Sequence, residues 1–213
     1  NGVRLITLPS IYRKYFDSVS HGLLSTLHFV FREKGDIAFY CSSGNSLFTW
    51  LARLSRAKIF LHTDGLEWER AKWNWFGKIV LRIAERFATW FPHRLVCDSR
   101  VIQKYYKERH GTDSDYVAYG AEIVERGFGA DMLRELGLEP EQYVLFVSRL
   151  EPENNAHVLV RAFEKLKTDK KLVVVGGAPF ATEYIRNLKS TKDPRIMFPG
   201  ALYGDIYKAL RAN

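Results

Sequence analysis

Apolar runs of strand length alternate along the first half of this chain with stretches in which apolar residues recur at helical spacing. The runs lie at residues 3–8, 36–40, 59–62, 95–97 and 116–120. The helical stretches lie at residues 20–31, 46–54, 75–91 and 100–110. Ser46 is expected to cap the second of these helices. Strands that alternate with helices predict an α/β fold with a mainly parallel sheet and helices on both faces.

A second α/β series occupies the end of the chain. Its strands are predicted at 143–148, 172–175 and 196–198, and its helices at 156–166, 182–188 and from residue 205. Residues 123–141, between the two series, contain three glycines and no strong strand pattern. The chain is therefore predicted to form two Rossmann-like domains, 1–122 and 142–213, joined by a linker at 123–141. Ligand sites are expected at the carboxyl ends of the strands, with the two sites facing each other.

The composition predicts a folded protein with a substantial core, since 46% of the residues are hydrophobic and 14% are aromatic. No apolar run approaches the roughly 20 residues of a membrane-spanning helix. Cys41 and Cys97 are the only cysteines, which argues against a disulfide framework.

The net charge of +8 is concentrated in residues 50–110, which carry 13 Lys and Arg against 6 Asp and Glu. A basic surface of this kind fits nucleic acid, an anionic membrane or a phosphate-bearing substrate, and it is also typical of a solvated helix face. No zinc-finger, helix-turn-helix or aromatic RNA-binding motif accompanies it, so no nucleic-acid partner is expected.

Four segments carry a resemblance to a known family. They are Asp64-Gly-Leu-Glu-Trp-Glu-Arg-Ala-Lys-Trp73, Asp98-Ser-Arg-Val-Ile-Gln-Lys-Tyr-Tyr106, Tyr119-Gly-Ala-Glu122 and Glu151-Pro-Glu-Asn-Asn155. Through them the chain resembles the bacterial family 4 retaining glycosyltransferases with a GT-B fold. Within that family it is most similar to the rhamnosyltransferase-like branch that builds cell-surface polysaccharides. The resemblance implies a nucleotide diphosphate sugar as donor.

The resemblance also implies that parts of the family pattern are missing. The family's opening strand and glycine-rich loop have no counterpart in this chain, and its pair of donor-binding glutamates would lie beyond Asn213. Both domains are therefore expected to be truncated, and this chain by itself is expected to be an incomplete catalyst.

Arg149 is the residue that the resemblance places at the leaving diphosphate, since a guanidinium can hold two phosphate oxygens at once. A surface ion pair with Glu151 or Glu153 is the alternative role. The usual lysine position of the family is Asn154 here, which offers a neutral donor to the same group.

Gly176 and Gly177 follow a predicted strand and would let a nucleotide approach the backbone closely. They are not the three-glycine dinucleotide fingerprint, which argues against an NAD enzyme. The resemblance implies that the backbone of Ala201, Leu202 and Tyr203 reads the base, although an ordinary turn is an alternative. No cluster has metal-ligand spacing, and the resemblance likewise implies that no metal is needed.

In the first domain, Asp64 and Glu67 are the candidate catalytic residues. Either could accept hydrogen bonds from sugar hydroxyls, and one could act as a base toward the acceptor hydroxyl. A helix cap or Asx turn is the alternative role for Asp64. His62 lies on the preceding strand and is more typical of a packed core histidine.

Tryptophans and cations are mixed downstream of this loop, as in proteins that sit in the headgroup layer of a membrane. The candidates for contact with the acceptor or the membrane are Trp68, Arg70, Trp73 and Trp75. Lys72 adds a further cation, whereas Phe87 and Trp90 are expected to pack on the sheet. A lipid-linked glycan is the acceptor that this mixture suits, and the inner face of the plasma membrane is the expected location.

The predicted function is transfer of a hexose or deoxyhexose, with rhamnose as one candidate, from a nucleotide diphosphate sugar to a lipid-linked glycan. Two alternatives remain open at this point. One is a nucleotide-sugar 2-epimerase of the same fold, for which the basic aromatic segment has no evident use. The other is a non-catalytic fragment that binds nucleotide or membrane.

Overall fold

The computed structural model describes residues 2–13, 16–33, 35–70, 73–179 and 181–213. The chain forms two compact units, Asn1–Gly120 and Ala121–Asn213. Within the described residues, no helix is both long and apolar enough to cross a membrane.

The first unit is built on a parallel sheet with the strand order β1-β2-β3-β4. In chain order its elements are α1 (Asp17–Arg32), β1 (Ile37–Cys41), α2 (Thr49–Ala52), β2 (Lys58–Thr63), α3 (Trp75–Trp90), β3 (Arg94–Cys97), α4 (Arg100–His110) and β4 (Asp115–Tyr116). Short 3-10 helices cover Ser43–Phe48 and Glu67–Glu69. The predicted alternation of strands and helices is therefore present.

The core of this unit lies along its two central strands. Leu61 on β2 and Cys97 on β3 have no exposed surface, and Tyr106 of α4 packs on the same cluster. α3 presents an equally regular inner face, on which Leu81, Ala84, Glu85 and Ala88 are buried. Their spacing of three and four residues puts all four on one side of the helix.

Three local expectations for this unit were wrong. The strand predicted at 116–120 is a strand only at Asp115–Tyr116, where it pairs with β3, and residues 117–120 lie outside the sheet. Residues 3–8 are not a strand: Val3 and Leu5 are 84% and 88% exposed, because no described strand pairs with them and an unpaired segment gains no hydrogen-bond ladder. Ser46 does not cap a helix but lies inside the 3-10 helix. Its hydroxyl is buried and donates to the carbonyl of Ala84 on α3, so a tertiary acceptor replaces the expected local one.

The second unit is a three-stranded parallel sheet with the order β5-β6-β7. Its elements are β5 (Tyr143–Val147), α5 (Ala156–Glu164), β6 (Lys171–Val175), α6 (Thr182–Leu188), β7 (Ile196–Gly200) and α7 (Gly204–Ala212). Residues 172–175 of the central strand are all buried. Leu172 and Val174 join one apolar cluster with α5 and α6, whereas Val173 and Val175 join another with α7. Since successive side chains point to opposite faces, helices cover both sides of this sheet.

Residues 123–141, which were predicted to link two domains, pack within the second unit. A 3-10 helix covers Met132–Leu136, and Leu133 and Leu138 are buried in the cluster that includes α7. Gly127 donates its backbone N–H to the carbonyl of Ala212 at 3.0 Å. This segment has no strand pattern because buried side chains, and not the hydrogen bonds of a sheet, hold it in the unit.

Candidate functional site

Polar side chains collect at the carboxyl edge of the first sheet, where four parallel strands end. Asp64 follows β2, Asp98 follows β3, and Tyr119 lies beyond β4. Desolvation raises the pKa of the Tyr119 phenol, and the neighbouring Asp98, Asp64 and Cys41 raise it further. One oxygen of Asp98, Oδ1, is buried and has no hydrogen-bond partner among the described residues. At this edge, the carboxylates of Asp64 and Asp98, which can accept hydrogen bonds, therefore lie near the phenol of Tyr119.

The two predicted catalytic carboxylates differ in their surroundings. Glu67 accepts a hydrogen bond from Arg70, with 3.2 Å between Oε1 and Nη1. Asp64 is exposed and makes no hydrogen bond to a described residue, so it neither caps a helix nor closes an Asx turn. Asp64 is the carboxylate that is open to a ligand.

His62 belongs to the packed side of this edge. It is 8% exposed, and its ring lies 6.3 Å from that of Phe39 and 5.6 Å from that of Tyr119. His62 is therefore a core histidine whose ring packs against the exposed ring of Tyr119.

The loop that carries Asp64 is anchored by a buried carboxylate on α3. Glu85 accepts hydrogen bonds from Trp68 Nε1 at 2.7 Å and from the Tyr105 hydroxyl at 2.9 Å. His110 Nε2 lies 2.6 Å from the same carboxylate. Burial first, and then the hydrogen bond and charge of Glu85, raise the pKa of Tyr105 to about 12. One acid therefore connects the loop with α3 and α4.

The tryptophans predicted to contact an acceptor or a membrane are not equivalent. Trp68 points inward to Glu85, and the guanidinium of Arg82 lies 4.5 Å from its ring centre. Trp73 is half-buried and packs over Gly77. Trp75 is 74% exposed at the start of α3. Lys72 lies outside the described residues.

Four residues of this region were not predicted from the sequence as site residues: Glu85, Tyr105, His110 and Tyr119. For Glu85 a signal was available, because it is the one acid on the apolar face of α3 that Leu81, Ala84 and Ala88 define. A charged residue at a core position has to be satisfied by buried partners, which makes it a marker of a polar network.

The second unit has its own polar edge, at the carboxyl ends of β5, β6 and β7. Val147 is in register with Val175, and Val175 with Gly200. The segments that follow these strands are therefore neighbours, and Leu150 donates to the carbonyl of Gly177 at 3.3 Å. Arg149 is exposed in this row, and its guanidinium makes no ion pair with Glu151, Glu153 or any other described carboxylate.

The two glycines after β6 have different surroundings. A side-chain carbon at Gly176 would lie 1.8 Å from the carbonyl oxygen of Ser148, and the φ of Gly176 is +144°. At Gly177 nothing lies within 4 Å of that position. Gly176 thus permits the close packing of the loops after β5 and β6, whereas Gly177 borders open space.

The remaining donor-site predictions fall on the same edge. The amide of Asn154 donates to the carbonyl of Arg149 at 2.6 Å, so it closes the loop that carries the guanidinium. Ala201 and Tyr203 are exposed after β7, and Tyr203 is 81% exposed. Leu202 between them packs toward the core. Within the described ranges, no group of three or more His, Cys, Asp or Glu side chains is arranged to hold a metal ion.

Each half of the chain matches a different family model. Residues 141–213 match the family described as glycosyl transferases group 1, and residues 41–122 match a domain of unknown function, DUF1972. The match to glycosyl transferases group 1 lies entirely within the second unit. Comparison with curated proteins gave no match.

Solved structures of low sequence identity share the fold. A crystal structure of Anabaena HepE in complex with UDP and glucose aligns with a TM-score of 0.73 at 17% identity, over 88% of this chain and 53% of that one. HepE in complex with UDP-glucose gives 0.72 at 18% identity, over 91% and 54%. TarM gives 0.59 at 9% identity, over 88% and 37%. The chain thus has the α/β GT-B fold, as predicted, and spans about half the length of the HepE structures.

Replacing Gly176 with Ala is expected to lower the free energy of unfolding by at least about 2 kcal/mol, because the added methyl group collides with backbone and not with a movable side chain. Gly177→Ala, at the next position, should change stability by less than about 1 kcal/mol. Urea denaturation of the two variants measures the difference. Equal losses would contradict the close approach of Gly176 to Ser148.

Replacing Glu85 with Gln is expected to lower the pKa of Tyr105, since the charge that opposes phenolate formation is removed. It should also destabilise the protein by about 1–3 kcal/mol, because one amide cannot serve three donors as a carboxylate does. Ultraviolet titration of the tyrosines and thermal unfolding measure the two effects. Glu108→Gln on the exposed face of α4 is the control, and a Tyr105 pKa that stays unchanged in Glu85→Gln would refute the network.

Proposed function

We propose that this protein is a retaining glycosyltransferase that moves a hexose or deoxyhexose, with rhamnose as a candidate, from a nucleotide diphosphate sugar to a lipid-linked glycan. The observation that carries the proposal is the polar edge of the second unit, where the guanidinium of Arg149 is exposed, pairs with no described carboxylate and adjoins a backbone that borders open space. The match of this unit to glycosyl transferases group 1 supports the same assignment.

The donor would bind through its diphosphate at Arg149. An exposed guanidinium without a carboxylate partner is free to form charge-assisted bonds with phosphate oxygens, and those bonds strengthen as negative charge develops on the leaving group. Gly177 leaves room for the nucleotide beside the backbone, and the turn Ala201–Tyr203 is the proposed contact for the base. Anabaena HepE was crystallised with UDP and with UDP-glucose, which supports a nucleotide-sugar donor for the shared fold.

We propose that the positive charge needed at the diphosphate comes from Arg149 and from the dipole of α5, with no metal ion. The loop Pro152–Asn155 leads into that helix, and Asn154 fixes its distance from Arg149 through the bond to the Arg149 carbonyl. A helix N-terminus adds partial positive charge for a bound anion.

Asp64 is the proposed catalytic residue of the first unit, because its carboxylate is exposed and bonds to no described residue, whereas Glu67 pairs with Arg70. It would orient the acceptor hydroxyl and accept its proton. Tyr119 and Asp98 at the same edge would contact the sugar hydroxyls of the acceptor. The acceptor is proposed to be lipid-linked, with the protein peripheral at the inner face of the plasma membrane.

Arg149→Ala is expected to weaken binding of the matching nucleoside diphosphate by about 1.5–3 kcal/mol, the contribution of a hydrogen bond to a charged group. Thermal unfolding with UDP, dTDP, GDP and NAD should give a shift for one nucleoside diphosphate, none for NAD, and the same shift in EDTA. Arg186→Ala, in the last turn of α6, removes an equal charge in the same unit as the control. An unchanged affinity in Arg149→Ala, or a shift with none of the four compounds, would refute the donor site.

Asp64→Asn is expected to reduce the rate of sugar transfer by at least about 100-fold while leaving nucleotide affinity unchanged, because general base catalysis typically contributes that much. Glu69→Gln removes an exposed charge from the same loop and serves as the control. Radiolabelled sugar transfer and nucleotide titration separate the two effects. Transfer by Asp64→Asn at the rate of the control would leave Asp64 without a catalytic role.

A further inference from the structure

A cavity of about 390 Å³ lies behind the loop that carries Asp64, between α3 and α4. Trp68 and Tyr105 form part of its wall, and the buried pair of Glu85 and His110 lies beneath them. The volume falls within the range of ligand pockets. None of the proposed donor or catalytic residues lines this cavity.

Three arginines border the cavity: Arg82 and Arg86 from α3, and Arg109 from α4. None of them is within ion-pair distance of a carboxylate among the residues that the structure describes. Arg82 lies over the Trp68 ring, and Arg86 Nη1 is 3.4 Å from His110 Nδ1. Two carboxylates, Glu69 and Glu85, line the same cavity, and Glu85 is already bonded to Trp68, Tyr105 and His110. The three guanidiniums still outnumber these acids, and the net positive charge favours an anionic ligand.

The outer face of α3 beside these arginines is apolar. Phe76, Ile79, Ile83 and Trp90 are 61%, 46%, 47% and 60% exposed, and their spacing places them on one side of the helix. This apolar stripe lies opposite the buried face of α3. Trp90 was expected to pack on the sheet, but it stands exposed at the end of the stripe. Arg82 and Arg86 lie along one flank of the stripe, so apolar and cationic surface are continuous on one helix.

We propose that the cavity is a binding site for the phosphate of an anionic phospholipid, with the apolar stripe inserted among the acyl chains. An arginine fork holds phosphate oxygens at two points, and an exposed stripe of Phe, Ile and Trp gains free energy by leaving water. The inference extends the peripheral membrane location in the proposed function by naming the lipid group and the surface that receives it.

The site also bears on the loop of Asp64. Trp68 and Glu69 belong to that loop and line the cavity, and Trp68 is held by Glu85. A phosphate bound in the cavity would therefore lie beside the loop that carries the proposed catalytic acid. Lipid binding would fix the loop at the membrane surface, where a lipid-linked acceptor is found.

The test is binding of the protein to phosphatidylcholine vesicles that contain phosphatidylglycerol, measured by flotation. The double variant Arg86→Gln/Arg109→Gln removes two pocket charges. Arg94→Gln/Lys104→Gln removes two charges of the same unit that pair with Asp115 and Glu108 outside the pocket. The pocket variant is expected to lose about tenfold more affinity than the control, as for one lost charge-assisted hydrogen bond. Equal losses would overturn the site in favour of diffuse attraction.

Two further arms identify the ligand and the surface. Vesicles given the same surface charge with a fatty acid should bind more weakly, and equal binding would overturn the preference for phosphate. Phe76→Ser/Ile79→Ser should weaken vesicle binding relative to Val101→Ser, which changes an exposed apolar residue of α4. If inorganic phosphate bound the pocket while vesicle binding of the pocket variant equalled that of its control, the lipid assignment would be wrong.

Nucleotide-induced stabilisation is measured on the same variants. All of them are expected to keep the shift of the parent protein, because Arg149 and its edge lie in the other unit. A pocket variant that loses vesicle binding and keeps the shift supports the lipid site independently of catalysis. A parent protein without any shift would refute the donor site and leave the lipid site to be judged by the vesicles alone.

Discussion

A buried carboxylate governs the architecture of the first unit. Moving an ionised acid out of water costs several kcal/mol unless donors replace the lost hydration, and Glu85 meets this condition with Trp68, Tyr105 and His110. These donors come from a loop and from α4, so satisfying the acid fixes both against α3. The loop's exposed Asp64 is thereby held in place, and the surrounding arginines are held around a cavity.

The second unit depends on a different constraint, the close approach of two loops at one sheet edge. Gly176 lies so near the Ser148 carbonyl that no side chain fits. The consequence is that the loop with Arg149 and the loop with Gly177 run side by side, with the bond from Leu150 to Gly177 between them. Packing thus places the guanidinium beside open backbone, and none of the described carboxylates pairs with it.

Much of the fold followed from the apolar pattern, because buried parallel strands are continuous apolar runs and helices repeat every three or four residues. The pattern failed at residues 3–8, where a strand-like run has no described neighbour. At 123–141 it correctly predicted no strand, but it did not reveal that Leu133 and Leu138 are buried in the second unit. For the candidate site, sequence predicted where the residues lie along the chain but not which of them form ion pairs. Sequence indicates that Asp64 and Glu67 follow a strand, but which of them is paired depends on Arg70 reaching back within the loop.

The basic charge of residues 50–110 shows the same limit of prediction from sequence, because the sequence does not tell which charges are paired. Counted along the sequence, its cations are equivalent. In the structure, Lys104 and Lys107 pair with nearby acids on the surface. Arg82, Arg86 and Arg109 instead border a cavity and form no ion pair with a described carboxylate, although Glu69 and Glu85 line the same cavity. A paired surface cation adds little to the attraction of an anion, since its field is already offset and water screens the rest. The unpaired arginines, though few, therefore set where an anionic ligand would bind, and the apolar stripe of α3 on their flank sets what such a ligand would be attached to.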